Sequence, residues 1–340
     1  MTHQNSILAP AVLLSILDPS SVGEVRRAVL AEAENLGFDE TRAGNAAIVA
    51  TEMATNIVRH AGSGELILKA RQQGETSVLE LLALDRGPGM RDVERCMEDG
   101  YSTAPGGSGT GLGAMRRLSD EFDIHSAAGA GTAVLARFQP SGRAPQRMDV
   151  GALSLPFPGE LVCGDAWEIL HGSKTCAITV IDGLGHGIDA NLAAQEAVRT
   201  VEANAQRSVH QKLELAHGAL RHTRGAAMAV AEVDQDSGHI AFAGVGNNVG
   251  AIASAQALHR MVSFDGTLGH EVHRIREFEY TLEPGNVLVM LSDGLKSQWK
   301  FDRYPELLLR DPLLIAGVLY RDYVRGHDDV TVVVARAESP

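Results

Sequence analysis

An acidic residue followed by three glycines within five positions ends an apolar segment in the middle of the chain. The apolar segment, residues 177–181, reads Ala-Ile-Thr-Val-Ile, and residues 182–187 read Asp-Gly-Leu-Gly-His-Gly. The β-branched composition predicts a buried strand that presents the carboxylate of Asp182 at its end. Glycines let the backbone approach a bound group closely, so a glycine carbonyl and the carboxylate could both ligate a hard cation such as Mg²⁺ or Mn²⁺. A glycine-rich turn with a solvated aspartate is the alternative interpretation of this segment alone.

Further acidic residues in the second half of the chain also adjoin predicted strands. Asp165 follows a glycine, Asp293 follows the apolar strand 287–291, and the pair Asp328 and Asp329 precedes a final strand. Carboxylates that converge repel one another unless cations neutralise them. Two cations about 4 Å apart would activate a water and polarise a phosphoryl group, as in phosphatases. Each aspartate alone is typical of a turn, but the set favours a two-metal hydrolytic site.

Two motifs in the first half of the chain combine an acidic residue with an amide or with glycines. Glu52 and Asn56 are four residues apart in a predicted helix, so they share a face on which they could hold a water and a cation. Taken alone, this spacing is more typical of a solvated helix face. Asp85 ends a predicted strand and is followed by Gly87 and Gly89, which repeats the pattern of an acid at a strand end followed by glycines.

A glycine-rich loop leads into a predicted helix near residue 114. Its last residues are Gly109-Thr-Gly111-Leu112-Gly113. Such a loop presents free amides and the positive end of the helix dipole, which together bind phosphate. The loop lacks the Gly-Lys-Ser/Thr of a P-loop and does not directly follow a strand, as a dinucleotide-binding loop would. A flexible connector is the alternative interpretation.

The elements that must position these residues are predicted from periodicity and from capping residues. In the first half, the predicted strands are 13–17, 66–71, 78–85, 122–126 and 133–138, and the predicted helices are 22–36, 40–60 and 114–118. In the second half, the predicted strands are 150–155, 160–169, 177–182, 227–233, 239–245, 287–291 and 330–335, and the predicted helices are 188–204 and 209–222. A polar segment with two prolines and a glycine, residues 139–148, is predicted to be a linker.

Composition limits the classes of protein and of partner. The chain has 340 residues, of which 44% are hydrophobic and 21% charged, which is typical of a globular protein with room for two domains. The net charge of -13, with an acidic excess in both halves, argues against nucleic acid or an anionic membrane as the main partner. Cys96, Cys163 and Cys176 form no pattern, which predicts reduced thiols in a cytoplasmic protein. The apolar segment 7–17 is too short to span a membrane.

The motifs of the first half, including Gly131-Thr132, occur in the order and spacing of GHKL-type ATP-binding domains. Residues 10–138 resemble the bacterial anti-sigma-factor serine kinases and stressosome switch kinases. The resemblance implies ATP and Mg²⁺ as ligands, with Glu52 as general base, Asn56 as Mg²⁺ ligand and Asp85 as acceptor from the adenine amino group. Thr132 would support Asp85. The remaining cofactor-binding residues implied are Gly87, Gly89, Gly109, Gly111, Leu112 and Gly113, of which residues 109–113 would cradle the phosphates.

The aspartate motifs of the second half resemble those of the metal-dependent Ser/Thr protein phosphatases, specifically the bacterial SpoIIE-type branch, over residues 150–336. That branch includes the stressosome feedback phosphatases. By this resemblance Asp182 is the catalytic residue that bridges two Mg²⁺ or Mn²⁺ ions, and the carbonyl of Gly183 binds one of them. Asp165, Asp293 and Asp328 would complete the site, directly or through water. Asp329 stays open as an alternative to Asp328, which is favoured because Asp329 occupies the family's usual Asn or second-Asp position.

The two resemblances imply an α+β chain of two domains. Residues 1–138 would form a GHKL (Bergerat) α/β sandwich with the ATP-binding site. Residues 139–148 would be the linker, and residues 149–340 would form the α-β-β-α sandwich of a metal-dependent phosphatase.

The predicted function is that of a bifunctional cytoplasmic regulator. Its N-terminal domain would phosphorylate Ser or Thr on a small anti-sigma antagonist (STAS-type) partner, and its C-terminal domain would reverse that step in a partner-switching stress or sigma-factor pathway. The alternative is a partner-switch binding module, in which the ATP domain only senses nucleotide or docks a sigma-factor regulator and gates the phosphatase. A nucleotide-sensing scaffold without catalysis is a third possibility.

Overall fold

The computed structural model describes residues 7–8, 11–73, 76–98, 100–101, 109–139 and 148–337. These residues divide into two compact units. The first unit contains the described residues up to 139 together with Arg303–Arg321, and the second contains residues 148–302 and 322–337. A segment from the C-terminal half of the sequence therefore belongs to the first unit.

The first unit combines one sheet with helices. Its elements in chain order are β1 (Ile7–Leu8), β2 (Val12–Ile16), α1 (Pro19–Asn35), α2 (Glu40–Asn56), β3 (Gly64–Gln73), β4 (Thr76–Asp85), α3 (Val93–Cys96), α4 (Gly111–Leu118), β5 (Glu121–Ser126) and β6 (Thr132–Phe138). The sheet order is β1-β3-β4-β6-β5, and β2 also pairs with β3. All of these pairings are antiparallel.

The two long helices of the first unit begin at aspartate caps. Asp18 accepts a hydrogen bond from the amide of Ser20 at 2.7 Å, and Asp39 accepts one from the amide of Arg42 at 2.8 Å. Each cap satisfies an amide that has no partner within the helix. After Asn56, α2 continues as one π-helical turn, Ile57–Ala61, which accounts for the predicted end at residue 60.

Packing on the two faces of the first sheet follows the alternation of side chains along β3 and β4. Leu66, Leu68 and Leu81 are buried in the core that α1 and α2 form against one face. The intervening residues Ile67 and Leu82 are equally buried, although they point to the opposite face. Both faces of this sheet are therefore covered.

The second unit combines two sheets with a helical layer. Its elements are β7 (Met148–Leu155), β8 (Asp165–His171), β9 (Thr175–Gly183), α5 (Ile188–Ala203), α6 (Val209–Ala219), β10 (Ala226–Asp234), β11 (His239–Val245), β12 (Val249–Ala253), β13 (Leu258–Arg260), β14 (Phe278–Thr281), β15 (Val287–Leu291) and β16 (Val330–Ala337). One further helix, α7 (Pro312–Tyr323), lies between β15 and β16 in the sequence, and its residues 312–321 belong to the first unit.

The sheets of the second unit have the orders β14-β11-β10-β9-β8 and β13-β12-β15-β16-β7. Ile178, Val180 and Met290 are among the residues that form the core shared by the two sheets. Helices α5 and α6 cover the other face of the first of these sheets, where Ala197 and Leu213 are fully buried. This arrangement places the C-terminal end of β9 beside the start of α5.

The predicted α+β class with two domains is confirmed. The structure also differs from the predictions in several places. The predicted strand 160–169 begins only at Asp165, and β12, β13, β14 and α7 were not predicted. Residues 303–321, which the sequence placed with the C-terminal domain, group with the first unit. Most of the predicted linker, residues 140–147, lies outside the described residues. Among the described helices, none combines the length and apolarity needed to cross a bilayer.

Candidate active sites

Glu52 and Asn56 lie one helical turn apart in α2 and face the start of α4. A β-carbon placed on Gly111 would lie 2.7 Å from Oε2 of Glu52 and 3.9 Å from Nδ2 of Asn56. A side chain at position 111 would therefore displace Glu52, which explains the glycine. The pair that the family resemblance assigns to the ATP site thus lies beside the glycine-rich motif.

Asp85 ends β4 and is held by two backbone amides. Its Oδ1 accepts hydrogen bonds from the amide of Gly87 at 2.8 Å and from the amide of Thr132 at 3.2 Å. Burial raises the pKa of the Asp85 carboxyl above its ordinary value, although both amides oppose that rise. Because both amides bond to Oδ1, the second oxygen, Oδ2, is the one placed to accept from a ligand.

Thr132 was expected to support Asp85, and it does so through its amide, not its hydroxyl. The hydroxyl of Thr132 instead pairs with the hydroxyl of Ser126 at 2.9 Å. Ser126 also accepts from the amide of Met90 at 2.8 Å and lies 3.1 Å from the carbonyl of Gly131. The Ser126 hydroxyl therefore links the backbone segments that surround Asp85. No sequence motif indicated this role for Ser126.

An open cavity of about 170 Å³ joins these groups. Its polar lining includes Glu52, Asn56, Asp85 and Thr132. Its apolar lining includes Met53, Ile57, Ala83, Met90, Leu112, Met115 and Val134. An apolar slot with a carboxylate at one side and a helix N-terminus at another has the character expected of a purine nucleotide site.

The predicted glycines take different places around this cavity. Gly89, Gly109 and Gly111 line it. A β-carbon on Gly87 would lie 2.8 Å from the β-carbon of Ala61, so Gly87 allows close packing beside the cavity. Gly113 is buried within α4. The part of the glycine-rich loop from 102 to 108 lies outside the described residues.

Asp165 and Asp182 begin the second site as opposed residues on adjacent strands. Asp165 is the first residue of β8 and is the register partner of Asp182 near the end of β9. Asp165 is 5% exposed, and its Oδ2 is buried with no hydrogen-bond partner. Burial and the neighbouring carboxylate of Asp182 raise the pKa of Asp165 well above its ordinary value.

Asp293 and Asp328 lie beside Asp182. Burial, followed by the charges of Asp293 and Asp328, raises the pKa of Asp182 to about 8. Burial and the charge of Asp328 likewise raise the pKa of Asp293. Oδ2 of Asp293 accepts a hydrogen bond from Nδ2 of Asn247 at 2.6 Å. Sequence analysis did not single out Asn247, because nothing in its local pattern indicates a contact with a residue so distant in the chain.

Asp328 and Asp329 occupy different environments. Asp329 is 2% exposed, and its Oδ1 accepts from the amide of Phe157 at 2.8 Å. Its Oδ2 is buried without a hydrogen-bond partner. Asp328 acts electrostatically on both Asp182 and Asp293. The charge of Asp329 likewise acts on Asp165 and Asp182, so both residues lie near this group of carboxylates and the choice between them stays open.

The carboxylates of this site fit a divalent cation by their chemistry. Within the described part of the chain, no three His, Cys, Asp or Glu side chains converge closely enough to form a preassembled metal site. However, Asp165 and Asp329 each have a buried oxygen without a hydrogen-bond partner. Several buried carboxylates that raise one another's pKa form the oxygen-rich, electronegative donor set that Mg²⁺ and Mn²⁺ require.

The turn after Asp182 depends on its glycine and on His186. A β-carbon on Gly183 would lie 2.2 Å from the carbonyl oxygen of Ala190, so only glycine fits there. Nδ1 of His186 lies 2.7 Å from Oε1 of Glu160, and its ring lies 5.0 Å from that of Phe157. These contacts orient the turn around the candidate ligands.

Two family models match the chain. Residues 17–138 match the histidine kinase-like ATPase domain, and residues 172–338 match stage II sporulation protein E (SpoIIE). Both matches confirm the resemblances inferred from the motifs, one in each half of the chain.

Two named relatives divide between the same halves. The serine/threonine-protein kinase RsbT of Bacillus subtilis (strain 168) is 38% identical over 104 residues, which cover 31% of this chain and 77% of RsbT. The phosphoserine phosphatase RsbX of the same organism is 24% identical over 139 residues, which cover 40% of this chain and 69% of RsbX.

Solved structures support the fold of the second half. A chain from the bacterial stressosome, described as a modular system adapted to control secondary messenger signalling, is 30% identical with a TM-score of 0.52, and the match covers 56% of this chain and all 100% of that one. RsbX in complex with magnesium is 20% identical with a TM-score of 0.50, covering 58% of this chain and 98% of that one. The latter likeness shows the fold.

Proposed function

We propose that the chain is a bifunctional regulator of one phosphorylated partner, because it belongs through its first half to the histidine kinase-like ATPase family and its residues 172–338 match the SpoIIE family model. The first half would phosphorylate Ser or Thr on a small STAS-type protein, and the second would remove the phosphate. The observation that carries this proposal is that one chain contains both an open cavity lined by Glu52 and Asp85 and a buried carboxylate group around Asp182.

The kinase half is supported by the position of Glu52. Its carboxylate lies against Gly111, at the N-terminus of α4, where free amides favour a phosphate. In the proposed reaction Glu52 accepts the proton of the attacking Ser or Thr hydroxyl, and Asp85 orients the adenine ring. Asn56 would hold Mg²⁺. When bound, Mg·ATP supplies the phosphoryl group and neutralises part of its charge.

The phosphatase half is supported by the mutual burial of its carboxylates. Asp182 is the register partner of Asp165, and it is also close enough to Asp293 and Asp328 for their charges to raise its pKa, which suits a bridging ligand. These residues and the carbonyl of Gly183 would hold Mg²⁺ or Mn²⁺. When bound, such ions supply a nucleophilic water and polarise the phosphoryl oxygen. The protein's own contribution is to fix these ligands on and beside strands of both sheets, with Asp165 and Asp182 on β8 and β9 and with Asp293 and Asp328 next to β15 and β16.

The proposed partner is a small STAS-type protein of a partner-switching pathway. The support is that the chain combines likenesses to RsbT, named a serine/threonine kinase, and to RsbX, named a phosphoserine phosphatase. The stressosome structure among the neighbours supports the same class of pathway. The three free cysteines suit the cytoplasm as the site of action.

A second candidate function is favoured by one structural observation. Residues 303–321, which lie inside the SpoIIE match, belong to the unit that contains the nucleotide-type cavity. In this alternative, the first half binds ATP without transferring phosphate, and nucleotide binding gates the phosphatase. Both candidates require ATP binding.

The experiment that separates them follows radiolabel from ATP. The Asp182→Asn variant is incubated with γ-labelled ATP, Mg²⁺ and a purified STAS-type protein, because this substitution is expected to prevent removal of the label. Label on Ser or Thr of the partner supports the bifunctional proposal. If the double variant with Asp182→Asn and Glu52→Gln leaves the partner unlabelled, the phosphate transfer is assigned to the site that contains Glu52. Wild-type protein with Mg²⁺ or Mn²⁺ should then release the label.

Two results would contradict the proposal. If the Asp182→Asn variant binds ATP but leaves a panel of STAS-type proteins unlabelled, the sensing alternative is favoured. If wild-type protein releases no phosphate from chemically phosphorylated partner in either metal, the phosphatase half of the proposal fails.

A further inference from the structure

A segment from the C-terminal half, residues 303–321, is anchored in the first unit. In the sequence it lies between the candidate metal ligands Asp293 and Asp328. The guanidinium of Arg137 donates to Oδ1 of Asp311 at 2.9 Å, and the amide of Asp311 donates to Oδ2 of Asp123 at 2.6 Å. Arg137 is 4% exposed, so this anchor is shielded from water. Charged hydrogen bonds of this kind fix both geometry and register.

The helical part of this segment packs on the face of the first sheet opposite α1 and α2. A β-carbon on Gly317 would lie 2.6 Å from Leu82 and 3.2 Å from Leu84, so the glycine allows α7 to approach β4 closely. Tyr320, also in α7, hydrogen-bonds to Glu65 on β3. β4 ends at Asp85, so α7 packs on the strand that presents the proposed adenine-binding carboxylate.

Arg321 contacts the nucleotide-type site from the last turn of α7. It is 2% exposed, and its Nη1 donates to the carbonyl oxygen of Asp85 at 2.9 Å and lies 3.4 Å from the carbonyl oxygen of Thr132. These two residues are also linked on their other side, where the Thr132 amide donates to the Asp85 carboxylate. The guanidinium therefore holds the main chain of both Asp85 and Thr132 in place.

Tight packing around Arg321 restricts the movement of Asp85 and Thr132. A β-carbon on Gly131 would lie 2.1 Å from the Asp85 carbonyl oxygen and 3.0 Å from Nη1 of Arg321. Gly131 adopts a φ of 73°, which favours glycine. The charge of Arg321 also opposes the rise that burial imposes on the pKa of Asp85. The guanidinium thus acts on Asp85 through both geometry and electrostatics.

We propose that Arg321 is a positioning residue of the nucleotide site, supplied by the phosphatase-family half of the chain, and that it sets the preference for a purine with a 6-amino group. It does so by holding the backbone from which the Asp85 carboxylate reaches the base. This inference rests on the proposed ATP site. By reciprocity, bound ATP stabilises the placement of the segment that leads to Asp328.

A purely structural role for Arg321 makes a different prediction. If the guanidinium only anchors α7, its loss would lower the stability of the protein and would weaken the binding of all nucleotides by the same factor. If it positions Asp85, its loss would weaken ATP more than inosine triphosphate, which lacks the amino group that Asp85 would accept. The ratio of the two affinities therefore separates the two roles.

The test measures ATP and inosine triphosphate affinities of the full chain by calorimetry with Mg²⁺. Arg321→Met is expected to weaken ATP by about 10- to 100-fold, the value of one buried charged hydrogen bond, and inosine triphosphate by much less. Arg321→Lys keeps the positive charge and a side-chain N–H donor, so it should retain part of the preference for ATP over inosine triphosphate. Arg310→Met is the matched control, because Arg310 lies in the same segment but pairs with Asp123 and Glu306.

An unchanged ratio of affinities in Arg321→Met overturns the inference, and should that variant not fold, an unchanged ratio in Arg321→Lys overturns it equally. An equal loss of preference in Arg310→Met would also overturn it, since the effect would then belong to the whole segment. If Asp85→Asn loses ATP binding but Arg321→Met keeps the wild-type ratio of affinities, the proposed ATP site still stands and only the role of Arg321 is rejected. Wild-type protein that binds neither nucleotide rejects the proposed ATP site and, with it, the role of Arg321.

Discussion

Asp165 and Asp182 face each other across adjacent antiparallel strands, as register partners of β8 and β9. Two buried carboxylates so placed destabilise each other. Hydrogen bonds from Ser292 and Thr331 to Asp165 offset part of that cost, but its Oδ2 has no hydrogen-bond partner. A cation between such groups would convert repulsion into binding free energy. This pair is therefore the structural centre of the proposed phosphatase.

The first prediction concerns Asp182. Asp182→Asn should lower the turnover of p-nitrophenyl phosphate in Mn²⁺ by more than about 100-fold, because loss of even an outer-shell metal partner costs about 10- to 100-fold. Steady-state kinetics across a metal titration would measure it. Asp236→Asn, an exposed aspartate in a turn, is the control. Turnover within threefold of wild type would remove Asp182 from the proposed site.

The second prediction concerns Glu52. Glu52→Gln should lower phosphate transfer to the partner by about 10²- to 10⁴-fold, the usual contribution of a general base, while ATP still binds. Transfer and calorimetric binding are measured side by side, and the exposed Glu34→Gln serves as control. If transfer persists, Glu52 is not the base. If ATP binding is lost together with transfer, Glu52 acts in binding.

The third prediction concerns the choice between Asp328 and Asp329. Asp328→Asn should raise the metal concentration needed for half-maximal phosphatase activity by about 10-fold or more, because Asp328 acts on both Asp182 and Asp293. Asp329→Asn should raise it less, since one of its oxygens is already bonded to the Phe157 amide. Metal titrations of both variants decide the question, and the reverse order would assign Asp329 as the ligand.

The fourth prediction concerns the buried ion network of Arg137. Its guanidinium contacts Glu80 at 2.7 Å, Glu121 at 2.9 Å and Asp311 at 2.9 Å. Arg137→Met should lower the free energy of unfolding by about 3 kcal/mol, because the mostly buried Asp311 loses this partner and the buried Glu80 keeps only Lys69, 3.0 Å away. Denaturant unfolding would measure the loss. The partly exposed Arg336→Met, which breaks a pair 3.7 Å long with Asp149, should cost no more than about 1 kcal/mol.

The fifth prediction concerns pH. Burial and the neighbouring Glu202 raise the pKa of Glu168 from 4.5 to about 7. A carboxyl whose pKa rises on folding costs no stability below its unfolded pKa. Its cost grows as pH rises from the unfolded to the folded pKa, and it is constant above the folded pKa. Glu168→Gln should therefore match wild type near pH 4.5 and exceed it at pH 8 by up to about 3 kcal/mol.

Thermal unfolding of Glu168→Gln from pH 4.5 to pH 8 tests this, with the exposed Glu283→Gln as control. The difference in stability between the Glu168 variant and wild type should increase from pH 4.5 to pH 8. A difference that does not change with pH would show that Glu168 is not buried beside Glu202 in solution.

Local pattern was enough to predict most of the elements, and the candidate residues followed from the motifs together with the two family resemblances. The apolar strand 287–291 was placed at its observed bounds, because a short β-branched segment between turn residues has few alternatives. Glu52 with Asn56 and Asp85 with Gly87 could be proposed because each pair lies within a few residues of sequence. The strands β13 and β14 were missed because they are short and largely exposed, and β12 was missed because its glycine and alanines give a weak strand pattern although it is mostly buried.

The sequence by itself determined the two families, the order of their motifs and the candidate residues, since each motif is a local arrangement of residue types. Only the tertiary structure decided which distant residues meet those motifs. Asn247 reaches Asp293, and Arg321 reaches Asp85, through packing that no periodicity encodes. Likewise, α7 reads in sequence as part of the phosphatase half. Its place on the first sheet depends on the surface that Leu82 and Leu84 offer it, which exists only once that sheet has formed.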